Sequence, residues 1–200
     1  MLELPGVSPC AGSRLFNWRY MDITKFADMV TRRRLYMARA DLLGDEHEGT
    51  TPAAELEYWR LLAENAETEE QRRITQGNRD QLSEFAREFR KTYYVSCWHM
   101  VPDENIAMWE RYVRSNDAVA IRSTFFTLRS LLDRTVIEMG VVRYIDYDAY
   151  RLPSFNLMQL IMHKRHFFRD EREVRAVVWT TAPEHIRREP RMAPRKYGSQ

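Results

Sequence analysis

The chain has 200 residues, of which 44% are hydrophobic and 12% aromatic, with a formal net charge of +2. That length suits one domain, or one domain with an inserted hairpin, with a sizeable core, and the composition excludes a disordered chain. Near-balanced charge gives no argument for nucleic acid as an obligatory partner, and no apolar run approaches the roughly 20 residues of a membrane span.

Cys10 and Cys97 are the two cysteines, without metal or disulfide spacing, and the N-terminus carries no signal-peptide pattern, so the expected compartment is a reducing cytoplasm without a membrane partner. Residues 1–13 are rich in Gly, Pro and Ser and read as a flexible arm. Residues 14–180 read as a single α+β domain, and 181–200 as a basic tail. Arg32, Arg33, Arg34 and the stretch from Arg187 to Lys196 are basic clusters consistent with solvated surface.

Arg14 to Tyr20 reads as a short strand, and Asp22 as the cap of a helix whose apolar positions Ile23, Phe26, Met29 and Val30 follow the helical period. Leu35 to Ala40 reads as a second short strand, followed by the acidic loop DLLGDEHEG. Thr51 and Pro52 form a helix start, with Thr51 as the cap, and Leu56, Trp59, Leu62 and Ala63 form one stripe. Leu82, Phe85 and Phe89 continue the helical spacing, so residues 53–90 read as a long helix or a hairpin broken at Gly77 and Asn78, inserted between strands.

Tyr93 to Met100 is β-branched and aromatic, Asp103 can cap a helix carrying Ile106, Trp109 and Val113, and Ala118 to Ser123 reads as a strand. Thr124 to Arg134 predicts a helix, and VIEMGVVRYIDY predicts a strand with Gly140 as a bulge. Pro153 opens a last helix through Leu157, Leu160 and Ile161 to the HKRH segment. This irregular mixing of elements predicts an α+β fold around a mostly antiparallel sheet, with flanking helices and the inserted helical segment. The chain carries no internal repeat, phosphate-binding glycine loop or nucleophile-elbow motif.

His163 to Trp179, HKRHFFRDEREVRAVVW, crowds charge directly before an apolar run. With Glu171 to Val178 extended, Glu171 and Glu173 share one face. Two readings stand for them. Their unequal environments can divide acid and base roles, or Arg172 and Arg175 pair with them across a solvated face.

The ordered blocks RYMD (19–22), LYMARAD (35–41), DEHEG (45–49), VSCWH (95–99), AMWERY (107–112), VAIRS (119–123), VRYIDY (142–147) and HKR followed by FRDEREVRAV resemble the bacterial family catalogued as domain of unknown function twenty-nine seventy-one. Family members tend to read D-P-F-E-G in the acidic loop, and the tail from Thr180 onward departs from the family's closing segment, as a truncated or diverged end would. The motif order is also similar to that of ADP-ribosyltransferases, in which a strand carrying Arg or His precedes one carrying Ser or Tyr and then one opening on E-x-E.

That resemblance implies Arg19, Ser96, Glu171 and Glu173 as the corresponding positions and NAD as co-substrate, with no metal. It implies Arg19 on the pyrophosphate or ribose, and Ser96 positioning the ribose or the glutamate. Glu173 would stabilise the oxocarbenium-like ribose, and Glu171 would orient or deprotonate the acceptor nucleophile. Trp98 or Phe168 would stack on nicotinamide or a base, and His163, Lys164 and Arg165 would supply further anion contacts. By the same resemblance the role is one in phage defence, with the acceptor left open between protein and nucleic acid.

Two other readings stand beside this one. A non-catalytic module could hold a phosphate, nucleotide or nucleic-acid backbone on the HKR cluster without either glutamate reacting. A metal-dependent nuclease could use His163 and His166, three apart on one helical face, with Asp170 or Glu171 as third ligand, although Lys164, Arg165 and Arg169 oppose a cation there.

Overall fold

The computed structural model describes residues 15–133, 135–152 and 157–181. In chain order the elements are β1 (Phe16–Asp22), α1 (Ile23–Arg32), β2 (Ala38–Arg39), α2 (Ala53–Glu64), α3 (Glu69–Phe89), β3 (Tyr93–Val101), α4 (Ile106–Tyr112), β4 (Ala118–Ser123), α5 (Phe125–Leu131), β5 (Ile137–Val141), β6 (Arg143–Ile145), α6 (Leu157–Met162), β7 (His163–Arg165) and β8 (Glu173–Trp179). The fold is α+β, with mostly antiparallel strands flanked by helices. The arm at 1–13 and all but the first residue of the basic tail lie outside the described residues, as does Pro153. Among the described residues no helix is long and apolar enough to cross a membrane.

The described chain forms two compact units. A helical unit comprises Ala38–Tyr93 and Val142–Asp170, and a sheet unit comprises 15–37, Tyr94–Val141 and 171–181. Residues 53–90 therefore share a unit with β6, α6 and β7.

In the helical unit, α2 and α3 are two helices whose break falls at 65–68 and not at Gly77 and Asn78, which lie inside α3. The reason is local. Thr68 and Gln71 form a capping box, the Thr68 Oγ1 accepting from the Gln71 N–H at 3.1 Å and the Gln71 Oε1 accepting from the Thr68 N–H at 3.3 Å. These bonds satisfy orphan donors of a new helix start, an incentive stronger than one glycine's cost inside a helix. Thr51 does not cap α2. Its hydroxyl donates to the Leu82 carbonyl at 3.3 Å, and Pro52 occupies the cap position. Ala86, Leu152 and Leu160 form this unit's buried apolar cluster.

In the sheet unit five strands run in the order β4, β1, β3, β8, β5. β1 is antiparallel to both β3 and β4, and β5 is antiparallel to β8. Trp98, Phe125, Leu128, Met139 and Val174 form the core on one face, joined by Met100, Ile121 and Val141. Two helices here are capped by neighbouring side chains: Thr124 accepts from the Thr127 N–H in α5, and Asn105, not Asp103, accepts from the Ala107 N–H in α4 at 2.9 Å. Asp22 stands at the cap position of α1 but turns its Oδ1 to the N–H groups of Arg114 and Ser115.

Three further expectations are corrected. Only Ala38 and Arg39 of the predicted second strand are extended, because Ala40 to Leu42 closes into a single 3₁₀ turn. The predicted long strand after residue 136 divides at the buried Val142 into β5 and β6, and Gly140 is no bulge, since Met139, Gly140 and Val141 pair in unbroken register with Ala176, Arg175 and Val174. The last predicted helix ends at Met162, where HKRH begins, but HKR, expected on a helical face with His166, is the strand β7, parallel to β6.

Candidate functional site

Alternation along three neighbouring strands sorts the expected residues by face. On β1, Arg19 pairs in register with Ile121, and Ile121 packs against the core that holds Trp98. Ser96 and Trp98 are two apart on β3 and so share that face. Arg19, Ser96 and Trp98 do come together. The Arg19 Nη1 donates to the Ser96 Oγ, its Nη2 donates to the Tyr36 carbonyl at 3.0 Å, and its guanidinium carbon lies 5.6 Å from the centre of the Trp98 ring. The fully buried Ser96 hydroxyl also accepts from the Trp98 Nε1 at 3.1 Å, which fixes its two lone pairs on two donors.

The electrostatics of Arg19 are unusual. Its partners are a hydroxyl, a carbonyl and a ring, all neutral, with no carboxylate among the described residues. Burial pulls its pKa down from the usual arginine value, the sign of a charge taken from water without full replacement. Tyr36 is 72% exposed beside it.

The glutamates stand elsewhere. Val174 belongs to the same core as Trp98, so its neighbours Glu173 and Arg175 on β8 face the other way. There the Arg175 Nε and Nη2 chelate the Glu173 carboxylate at 2.6 and 3.0 Å, with both side chains buried. Glu171 is not on the strand with Glu173. It ends a 3₁₀ segment, and Arg172 follows with φ +39°, so the left-handed residue between them breaks the predicted alternation. Its carboxylate accepts from Arg111 of α4, and its carbonyl accepts from the His99 Nδ1. A carbonyl only accepts, so the His99 proton sits on Nδ1 and Nε2 carries the lone pair. That Nε2 is buried without a partner among the described residues. Burial lowers the His99 pKa first, opposed by the Glu171 carbonyl and assisted by Arg172.

The HKR cluster belongs to the helical unit. His163 is buried, its Nδ1 donates to the Gln159 carbonyl, and burial lowers its pKa. The Lys164 Nζ meets the Glu48 Oε1 at 2.8 Å, and Arg165 forks onto Asp45 at 2.8 and 3.2 Å. Phe168 lies under both cations, 4.8 Å from Lys164 and 5.5 Å from Arg165. The acidic loop DEHEG is thus the counter-charge of HKR. Gly49 ends it with φ +76°, where a Cβ would also meet the Arg90 Cγ at 3.0 Å. His163 lies on a strand and His166 in a 3₁₀ segment, so the helical face assumed for a metal pair does not exist. Among the described residues no group of three or more His, Cys, Asp or Glu is placed to hold a metal ion.

Sequence reasoning passed over His99 and Arg111, although VSCWH and AMWERY contain them, whereas the pairing of Arg175 with a glutamate was one of its two readings, though for a solvated face and not a buried one. It also passed over Asn17, a fully buried member of the Arg19 face with no sequence signal beyond a polar residue in a strand.

No family model, no curated protein and no solved structure matches the chain.

Proposed function

We propose that the sheet unit binds a nucleotide of the NAD class at Arg19, beside the exposed Tyr36, as a member of the uncharacterised bacterial family that the chain resembles. The observation that carries this reading is the half-buried Arg19 guanidinium, fixed in orientation by Ser96 and Tyr36 yet unmatched by any carboxylate among the described residues. An arginine held in this way is ready to receive an anion, and a phosphate or pyrophosphate fits its planar fork. The exposed Tyr36 beside it supplies aromatic area of the kind that bases stack on, while the buried Trp98 ring supports the guanidinium from the core side.

This favours binding over ADP-ribosyl transfer. Stabilising a ribosyl cation needs a carboxylate facing the sugar, whereas Glu173 is chelated by Arg175 on the opposite face from Arg19. It also favours Arg19 over HKR as the anion contact, because Lys164 and Arg165 already hold carboxylates.

Calorimetry with NAD tests the proposal, with nicotinamide release followed in parallel. Arg19→Ala should weaken NAD binding by about 10- to 100-fold, as loss of charge-assisted hydrogen bonds predicts, and Arg19→Lys should not restore it. Absence of binding to the unmodified protein at millimolar NAD would sink the reading. Nicotinamide release that disappears in Glu173→Gln would reinstate the transferase in place of a binding role.

A further inference from the structure

In the helical unit α2 and α3 pack against each other and leave a cleft of about 680 Å³ beside their contact. Ala86 of α3 is fully buried in the apolar cluster with Leu152 and Leu160, whereas Phe85, about 100° round the helix from it, stays 41% exposed and lines the cleft. Trp59 of α2 and Leu82 of α3 line it too, so its surface is mainly apolar. A volume of that size suits a small organic molecule. The aromatic groups are already fixed in place. The Trp59 Nε1 donates to the Glu55 Oε1 at 3.1 Å, and the Phe85 ring lies 3.9 Å from that of Phe89, centre to centre. With its N–H bonded, Trp59 contributes ring surface to the lining and no donor.

The polar part of the lining is Asn78, Gln81, Glu84 and Glu88, and no basic side chain among the described residues joins them. Asp80, Glu84 and Glu88 recur every four residues along α3, which makes a row of like charges that repel one another. Glu88 is met by Lys91, its Oε1 2.8 Å from the Nζ, whereas Glu84 makes no ion pair or hydrogen bond among the described residues. A cation seated at Glu84 relieves that repulsion, and aromatic rings attract a cation as well. An anion is repelled by the same carboxylates.

We infer that this cleft binds an organic ammonium ion, with its apolar body on Trp59, Leu82 and Phe85 and its charged head at Glu84. The side-chain carbonyls of Asn78 and Gln81 are further acceptors for the N–H groups of such a head. Every lining residue belongs to the helical unit, so the inference does not depend on the nucleotide reading, which concerns Arg19 in the sheet unit.

The test is a titration of the full chain with tryptamine, tryptophol and indolepropionate, followed by assigned amide NMR spectra. The three share an indole body and carry a cationic, a neutral and an anionic head. Tryptamine should shift the amides of Gln81 to Glu88 and bind about 3- to 30-fold more tightly than tryptophol, with indolepropionate the weakest. Glu84→Gln, a change at an exposed position, should lower tryptamine affinity about 3- to 10-fold and leave that of tryptophol within about twofold. Phe85→Ala should weaken both. Tryptophol binding as tightly as tryptamine, shifts confined to other residues, or parental tryptamine affinity in Glu84→Gln would each overturn the inference. So would an absence of shifts at millimolar tryptamine. NAD affinity should be unchanged in Glu84→Gln, so failure here leaves the nucleotide reading standing.

Discussion

Two arginine-bearing regions, one in each unit, differ in how their charge is answered. On β7, Lys164 and Arg165 are each met by a buried carboxylate from the DEHEG loop, and Phe168 lies beneath both. On β1, Arg19 is held as firmly by Ser96 and Tyr36, but only by neutral atoms. The first region is dense in charge and internally complete. The second is sparse and incomplete, and the proposed binding of an external anion rests on that difference. Charge density along a chain therefore does not tell which charges remain uncompensated in the folded state.

Breaking the complete region should cost most. Glu48→Gln leaves Lys164 buried without its carboxylate and should destabilise the protein by about 3–5 kcal/mol in urea unfolding, while the paired replacement Glu48→Leu with Lys164→Met should recover most of that loss. A loss no larger than that of an exposed substitution would show that β7 is not neutralised by the loop.

The incomplete region should respond in the opposite sense. Arg19→Ala removes an uncompensated half-buried charge, so its unfolding free energy should stay within about 1 kcal/mol of the parent although ligand affinity falls. A large destabilisation would make Arg19 a structural residue like Arg165 and erase the contrast.

One histidine in each unit sharpens the comparison through pH. Burial lowers the pKa of both His99 and His163, so the folded state favours their neutral forms. Their contribution to stability is full above the unfolded value of about 6.5 and is lost as pH falls through that value toward the lower folded pKa values. Urea midpoints measured from pH 7.5 down to 5 should therefore fall. His99→Gln and His163→Gln should each flatten part of the slope, and a flat profile in the parent would contradict the buried neutral state of both rings.

The smallest effect sets the scale for a neutral interaction. Thr68→Ala removes half of the capping box at the start of α3 and should lower stability by about 1 kcal/mol, read as a modest drop in melting temperature. No measurable change would mean that the break between α2 and α3 is held by packing alone.

Much of the architecture was legible where local pattern and tertiary demand agree. The strand from Ala118 to Ser123 matches its expected bounds, and Tyr93 to Val101 and Phe125 to Leu131 lie within a few residues of theirs. Aromatic alternation and a threonine cap needed no distant partner to act. The misplaced boundaries lie where several local signals compete. Gly77 looked like a break until the Thr68 and Gln71 box supplied a better one, and HKR looked like the end of a helix until pairing with Arg143 to Ile145 made it a strand. The candidate site was legible in part. Arg19, Ser96 and Trp98 were named and do meet, whereas Glu173 was named for a face it does not occupy.

By itself the sequence determined the class of fold, the periods of most strands and helices, and the residue types present, because these follow from neighbours within a few positions. Tertiary structure decided which charges cancel. The Lys164 to Glu48 and Arg165 to Asp45 pairs span more than a hundred residues, and the one-residue alternation of β8 sets Glu173 against Arg175 and away from Arg19. Compensation depends on distances of a few ångströms between segments far apart in the chain, and the faces of a sheet depend on register, so neither can be read from a linear pattern of charges.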